Sequence, residues 1–289
     1  MQTITKLSII AFIALFSQSA LAGGGWPQPK GGGFFKVSEW WLISDQHFTD
    51  SGEIDPNTTF GIFTTSLYAE YGFTDRITGV LYFPFFSRNY FNNTLSGTTG
   101  EVLVPGEAIN SIGDINIAVK YGLVTKGPIA LSATLLFGLP SGNDRGGSAG
   151  NLQTGDGEFN QLLQIDAGTS FKIAEHNAYA NIYAGFNNRT NGFSDELRFG
   201  IEGGVSWLND RLTTTVRLFG ISSLKNGDST DVPNSTSIFA NNSEHLTVSP
   251  EVSYLLTDKV GVSASFGSAL AGSIIFANTS YEVGVFVKF

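Results

Sequence analysis

The residues of this chain that could do chemistry are mostly charged side chains that occur singly within apolar stretches. Arg198, for example, stands between Leu197 and Phe199. Opposite charges in this arrangement can pair across neighbouring strands, or they can border a water-filled path whose charge selects solutes. The residues concerned are Asp114, Lys120, Asp166, Glu196, Arg198, Glu202, Arg217, Glu251, Glu282 and Lys288. The sequence leaves both roles open.

Nucleophilic catalysis would need a histidine that can deprotonate a hydroxyl group. The chain has three histidines, His47, His176 and His245. None is followed two positions later by serine, which is the arrangement of the outer-membrane phospholipases. We therefore expect isolated surface histidines and no enzyme, and a lipid hydrolase is the least favoured of the functions considered.

The glycine-rich stretch 142–151, with Asp156 and Glu158 after it, offers oxygen atoms that could bind calcium. It lacks the fixed carboxylate spacing and the closing glutamate of a recognised calcium loop. The chain has no cysteine, which excludes disulfides, thiolate metal sites and cysteine nucleophiles. We therefore predict a solvated loop here, with no metal and no cofactor.

The glycines of residues 23–33 could cradle a phosphate group only between a strand and a helix. What precedes them is Lys6, an apolar run over 7–16 and the ending Ser-Ala-Leu-Ala at residue 22. This order predicts a secretory signal peptide over 1–22, and the run is too short to span a bilayer. A retained anchor is the alternative. Residues 23–33 are then expected to be a glycine-rich periplasmic leader, either flexible or folded back into a pore mouth.

The composition narrows the class of protein. The formal net charge is −9, which gives no electrostatic basis for binding nucleic acid. Hydrophobic residues make up 42% of the chain and charged residues only 14%, yet no stretch after residue 22 is apolar over the roughly 20 residues of a membrane helix. The chain is therefore either a large soluble β protein or a membrane barrel.

Alternation favours the barrel. At the C-terminus, alternate residues form two sets, one largely apolar and the other mixed and charged. The largely apolar set is Thr279, Tyr281, Val283, Val285, Val287 and Phe289, and the mixed set is Ser280, Glu282, Gly284, Phe286 and Lys288. A period of two predicts a strand, and an apolar outside with a polar inside is typical of a transmembrane barrel. The same pattern recurs upstream, so we predict an all-β antiparallel barrel over 34–289.

Two kinds of connection alternate between the predicted strands. Short turns are expected at 74–76, 125–128, 172–177, 209–211 and 257–259, and long polar connections at 44–57, 87–110, 140–156, 187–195, 224–244 and 267–273. Eleven connections imply twelve strands. Short periplasmic turns and long extracellular loops are typical of bacterial outer-membrane barrels.

Large aromatic residues precede the short turns. The set is Tyr71, Tyr121, Phe171, Trp207 and Tyr254, with Phe289 at the end of the chain. Such a girdle is what barrels place at the level of the lipid headgroups. A soluble sandwich or propeller has no reason for it, so we expect outer-membrane lipid as a partner, and the barrel-assembly machinery as a partner of the strand that ends at Phe289.

Three regions resemble a known family. Residues 111–122 (SIGDINIAVKYG), 138–142 (GLPSG) and 154–168 are similar to the outer-membrane proteins named for the MetA pathway of phenol degradation, as are the hairpin junctions 72–76 and 254–259. The resemblance covers most of the chain after residue 41, through motifs that build a barrel. It implies uptake of small, mostly aromatic or hydrophobic molecules, with no shared catalytic residues.

We therefore expect an outer-membrane channel of a Gram-negative bacterium that passively admits small solutes. Aromatic or hydrophobic molecules are the candidate substrates. The loops at 87–110, 140–156 and 224–244 are expected to constrict its entrance, and the aromatic residues Phe85, Phe86, Tyr90 and Phe91 form an upper girdle or meet the substrate. The rival is a non-conducting barrel that is structural or binds partners through its loops.

Overall fold

The computed structural model describes residues 24–228 and 237–289. The predicted signal peptide lies outside these residues. Within them, twelve antiparallel strands form a barrel: β1 (Gly33–Phe48), β2 (Ile54–Gly72), β3 (Ile77–Phe91), β4 (Ile115–Val124), β5 (Ala130–Leu139), β6 (Asn160–Ile173), β7 (His176–Arg189), β8 (Glu196–Trp207), β9 (Leu212–Ser223), β10 (Glu244–Leu255), β11 (Val260–Ser273) and β12 (Ser280–Lys288). Among the same residues, no helix is long and apolar enough to cross a membrane.

The barrel is closed by its first strand, which pairs with both β2 and β12. Gly33 donates its backbone N–H to the carbonyl of Phe289 at 2.8 Å, and Phe289 donates to Gly33 at 3.0 Å. Because each of the twelve strands has two hydrogen-bonded neighbours, none is left as an edge. The predicted twelve-strand antiparallel barrel is confirmed.

Alternate residues of each strand face the outside and the lumen. Val119, Ile182 and Ile201 are more than half exposed on the outer face, whereas Thr78 and Ser132 in the lumen have no exposed area. The small hydroxyl residues of the inner face allow the wall to be lined with polar groups without filling the interior.

The two rims differ mainly through three long connections, at 92–114, 140–159 and 224–243. The connection 92–114 contains a small hairpin, Thr94–Leu95 with Val102–Val104, and a strand Glu107–Ser111 that pairs with β3. The predicted long connections at 44–57 and 267–273 were wrong: strand pairing continues to Phe48 with Ile54 and to Ser273 with Glu244. Those connections are only 49–53 and 274–279, because alternating small and polar residues still pair as strand.

The six aromatic residues expected before the short turns all lie on the outer face at the short-turn rim. Five of them end alternate strands at similar height in the register: Tyr71 lies opposite Gly33, Tyr121 opposite Ile77, and both Trp207 and Tyr254 opposite Leu212. Phe171 lies opposite Ala178, and Phe289 stacks on Phe35 with 5.5 Å between ring centroids.

Inside the barrel, aromatic rings lie flat over glycines of the neighbouring strand. A Cβ atom on Gly204 would lie 2.2 Å from Cε1 of Tyr179, and one on Gly200 would lie 2.6 Å from Cε1 of Tyr183. Glycine at these positions lets the rings rest against the wall. The lumen between them therefore stays open.

Candidate functional site

A cavity of about 480 Å³ occupies the middle of the lumen, and we call it the lumenal cavity. Its wall combines aromatic rings, such as Tyr82 and Phe219, with serine hydroxyls and charged side chains. One of the hydroxyls, on Ser263, is buried and has no hydrogen-bond partner among the described residues. Since a buried hydroxyl can both donate and accept, it is available to a solute in the cavity.

Five charged residues form a continuous chain around one side of this cavity, which we call the ionic belt: Glu202, Arg217, Glu251, Lys36 and Glu282. Arg217 is bonded to Glu202 through Nε and to Oε2 of Glu251 through Nη1, at 3.1 Å for the second contact. Lys36 lies 3.7 Å from the same Glu251 oxygen and is bonded to Glu282. Three carboxylates against two cations leave the belt with a net charge of −1.

The belt follows from strand register. Glu202 lies directly opposite Arg217, and Ser265 lies between Glu251 and Glu282. Four of its members were among the lumenal residues predicted from the sequence. Lys36 was missed, although its position between Phe35 and Val37 carries the same signal of one charge within an apolar stretch.

Residues 24–32, the N-terminal segment, lie inside the barrel at the short-turn rim and form a floor under the cavity. The amide of Gly25 donates to Oδ1 of Asn181 at 2.9 Å, and the amide of Gln28 donates to Oγ1 of Thr78 at 2.8 Å. The ring of Trp26 covers Gly168, where a Cβ would lie 2.5 Å from it. Of the two alternatives for this segment, the structure has it folded back into the pore mouth.

Lys120 and Asp166, both predicted in the lumen, belong to this floor. Lys120 donates through Nζ to the carbonyl of Gly24 at 3.1 Å and lies 3.9 Å from Glu70. Glu70 in turn accepts a hydrogen bond from Nε2 of Gln28 at 2.9 Å. Asp166 is buried beside them and accepts from Gln164. Lys120 and Glu70 therefore hold the N-terminal segment in place.

The connection 140–159 forms a roof at the opposite rim. Asp114, the residue before β4, accepts hydrogen bonds from the amides of Gly142 and Asp156, each at 2.8 Å. Asn89 in the lumen donates to the carbonyl of Gln153 at 2.8 Å, and Leu152 is fully buried. Burial raises the pKa of Asp114, while the two amide hydrogen bonds act in the opposite direction.

Arg189 ties this roof to the wall. Its guanidinium contacts Asp156 at 3.0 Å, Glu158 at 2.8 Å and Glu196 at 2.7 Å. Arg198 shares Glu196 at 2.9 Å. Burial raises the pKa of Glu158 and raises that of Asp156 to about 6. Asp156 and Glu158, considered as calcium ligands from the sequence, are bonded to Arg189 instead.

Residues 190–195 pack beside this roof on the described parts of the connection 224–243, which are 224–228 and 237–243. The amide of Ser194 donates to Oδ1 of Asn241 at 2.9 Å, and its hydroxyl donates to Asn242 at 2.7 Å. Phe193 is buried under the Arg189 guanidinium, 4.3 Å from ring centroid to Cζ. A small apolar cluster of Leu42, Ile62 and Phe276 fills the lumen on the β1 side.

Nine of the ten predicted lumenal residues therefore divide among three places. Glu202, Arg217, Glu251 and Glu282 belong to the ionic belt, Lys120 and Asp166 to the floor, and Asp114, Glu196 and Arg198 to the roof. Lys288 lies at the short-turn rim, opposite Phe34. Arg189, which holds the roof, was not singled out from the sequence; its position at the end of β7, next to a polar connection, carries no distinguishing signal.

The three histidines lie on three different strands. His47 is near the long-loop end of β1, and His176 begins β7 with its ring 4.4 Å from that of Trp207. His245 in β10 has Nδ1 at 2.9 Å from the hydroxyl of Thr247. Among the described residues, no hydrogen bond joins a histidine ring to a serine hydroxyl.

Solved structures similar to this chain are outer-membrane barrels. The COG4313 outer membrane channel from Pseudomonas putida F1 aligns at 15% identity over 94% of this chain and 100% of its own, with a TM-score of 0.62. The chain has the fold of an outer-membrane barrel. The NanC porin aligns at 10% identity over 88% of this chain and 100% of its own, with a TM-score of 0.50. The beta domain of the Bordetella autotransporter BrkA aligns at 14% identity over 90% of this chain and 100% of its own, with a TM-score of 0.51. Neither a family model nor a curated protein matches the chain.

Proposed function

We propose that the chain forms a narrow channel in the outer membrane of a Gram-negative bacterium, through which small solutes cross passively. The observation that carries this proposal is the lumenal cavity, which lies inside a closed barrel and is bordered by the ionic belt. The smallest barrels fill this space with side chains. The fold shared with outer-membrane channels and porins supports the same function.

The outer face supports the membrane location. It is apolar around the barrel, and the six aromatic residues at the short-turn rim stand where a headgroup girdle would lie. We propose that this rim is periplasmic and the rim with the long connections extracellular. The strand that ends at Phe289 would then be the one recognised by the assembly machinery.

For the solute, we propose a small molecule with an aromatic ring and one polar group, such as phenol. The cavity offers the rings of Tyr68, Tyr82 and Phe219 for stacking, and serine hydroxyls for hydrogen bonds. The resemblance of residues 111–122 to the phenol-degradation family agrees with this class of solute. With no matching family model, the resemblance stays a prediction.

The floor and the roof determine how freely a solute moves. The N-terminal segment covers the cavity on one side, and the connection 140–159 covers it on the other. Passage then follows narrow gaps beside these elements, or requires one of them to shift. We therefore expect a small conductance compared with a wide porin.

The test is single-channel recording of the refolded protein in a planar bilayer, with and without phenol. Tyr82→Leu removes a ring from the cavity, and Tyr254→Leu removes one from the outer face as a matched control. We expect small steady openings that phenol blocks, with weaker block in Tyr82→Leu and unchanged block in Tyr254→Leu. A folded barrel that never conducts would contradict the proposal and favour the non-conducting rival, which binds partners through its loops.

A further inference from the structure

Glu39 of β1 lies on the outer face of the barrel. Its neighbours Ser38 and Trp40 line the lumenal cavity, and the hydroxyl of Ser38 lies 3.3 Å from that of Ser66 within the lumen. Since side chains alternate along a strand, Glu39 points the other way. It lies opposite Val283 of β12 and Thr65 of β2, which face outward with it.

The height of Glu39 is close to the middle of the apolar band. Four residues below it on the same face, Phe35 stacks on Phe289 at the short-turn rim. Six residues above it, Asp45 marks the point at which the outer face of β1 becomes polar again. A tilted strand crosses the hydrocarbon in about 9–11 residues. In a membrane, Glu39 therefore faces the acyl chains near mid-depth.

A carboxyl group at this position is unfavourable unless it has a partner. Thr65 donates its hydroxyl to Oε2 of Glu39 at 2.5 Å, and no other described residue bonds the carboxyl group. One oxygen is therefore available to a donor from outside the chain. An ionisable residue that faces lipid and is only half satisfied indicates a binding site.

Aromatic rings stand directly above the carboxyl group on the same face. Trp41 and Tyr281 stack with 5.7 Å between centroids and an interplanar angle of 24°, and Tyr281 is nearly half exposed. A carboxylate beside aromatic faces is the combination that recognises an ammonium group, through the ion pair and through cation–π attraction.

Charge complementarity distinguishes a cationic ligand from a second copy of the chain. Around an axis normal to the membrane, a second copy would bring the same carboxyl and hydroxyl groups to this depth. The outward-facing Arg88 of β3 lies toward the long-loop rim, where it donates to Asn110 at 3.1 Å. Among the described residues, a second copy therefore offers no outward-facing cation at the depth of Glu39.

We propose that Glu39, Thr65 and the Trp41–Tyr281 pair form a membrane-facing site for the ammonium group of an amphiphilic amine. The site is separate from the lumenal cavity and goes beyond the proposed channel: it requires a membrane-embedded barrel but no conduction. The amine's apolar tail would lie along the outer face, in place of a lipid chain.

The experiment measures binding of dodecylamine to the full barrel in phosphatidylcholine nanodiscs at pH 7.5, by native mass spectrometry. Dodecanol, with the same tail and no charge, is the comparison ligand. We expect Glu39→Gln to weaken dodecylamine binding roughly tenfold and to leave dodecanol unchanged. Thr65→Val is expected to weaken it less. Glu101→Gln, which removes an exposed carboxylate from the connection 92–114, is the matched control and should bind as the wild type does.

Glu39→Gln keeps the hydrogen bond with Thr65 and removes a charge that faces lipid, so folding should not be impaired. Undiminished binding of dodecylamine by this variant overturns the proposal. Binding that survives Glu39→Gln and is lost in Glu282→Gln places the amine in the ionic belt, which also overturns it. Loss of a cross-linked dimer in Glu39→Gln, with amine binding unchanged, assigns the face to a second copy instead.

Discussion

Trp26 lies edge-on to Tyr179, with 6.5 Å between ring centroids and an angle of 84° between the ring planes. Tyr179 lines the lumenal cavity, and Trp26 belongs to the N-terminal segment beneath it. This contact is where the floor of the barrel meets the proposed solute path. The width of the short-turn mouth therefore depends on how firmly Trp26 is held.

Replacing Trp26 by alanine should enlarge that mouth. The substitution removes the ring that covers Gly168 and leaves the backbone hydrogen bonds of Gly25 and Gln28 in place. We expect single-channel conductance to rise severalfold. Lys30→Gln, a change on the exposed end of the same segment, serves as the control and should conduct as the wild type does. Equal conductance in Trp26→Ala would mean that the narrowest point lies elsewhere.

The ionic belt should set the preference for ions. Arg217→Gln changes its net charge from −1 to −2, so we expect a stronger preference for cations over anions. The measurement is the reversal potential in a gradient of potassium chloride. The double variant Glu202→Gln, Arg217→Gln returns the net charge to −1 and should recover most of the wild-type selectivity. If both variants behave alike, the current does not pass along the belt.

The belt also illustrates what the sequence can predict. Glu202 and Arg217 are neighbours because their strands are joined by a four-residue turn, so alternation alone places both on the inner face. Contacts between parts of the chain that are distant in sequence could not be predicted in this way. The bond from Lys120 to Gly24 joins residues 96 apart, and the fold of a glycine-rich segment has no period from which to predict it.

The connection 140–156 was expected to constrict the entrance, but the contacts that fix it as a roof were missed, for a related physical reason. Its stability depends on Arg189 meeting three carboxylates, two of them within an irregular connection whose conformation is fixed by those same contacts. Alternation correctly indicated that Glu196 and Arg198 face inward. It could not indicate that they join a closed network at the rim.

Arg189 should therefore contribute strongly to stability. Its side chain is almost completely buried, and Arg189→Gln would leave Asp156 and Glu158 without a cation, while Glu196 would keep only Arg198. Breaking a buried network of this kind costs about 3–5 kcal/mol in the free energy of unfolding. Urea titration of the barrel in detergent micelles, followed by tryptophan fluorescence, would measure it.

Arg145 provides the control for that measurement. It is exposed and lies 3.7 Å from Asp144, which is exposed as well. Arg145→Gln should change the free energy of unfolding by less than about 1 kcal/mol, because exposed ion pairs contribute little. Similar losses in the two variants would contradict the assigned role of Arg189 in holding the roof.

The stability of the roof should also depend on pH. Burial raises the pKa of Asp156 from 3.8 to about 6, so between these values the folded protein holds a proton that the unfolded chain has lost. This group therefore makes the free energy of unfolding fall as pH rises from 4 to 6, by at most about 3 kcal/mol. The pKa values of Asp114 and Glu158 are also raised by burial, which adds to the same direction.

Asp156→Asn mimics the protonated group. It should reduce the slope with which the free energy of unfolding, measured by urea titration, falls between pH 4.5 and 7.5. Asp195→Asn is the control with the opposite sign: the side chain of Asn226 lowers the pKa of Asp195, so its contribution is lost only at lower pH. The slope between pH 4.5 and 7.5 should therefore persist in that variant. If Asp156→Asn keeps the full slope, the pH dependence does not arise at this carboxyl group, and the contact with Arg189 compensates for its burial.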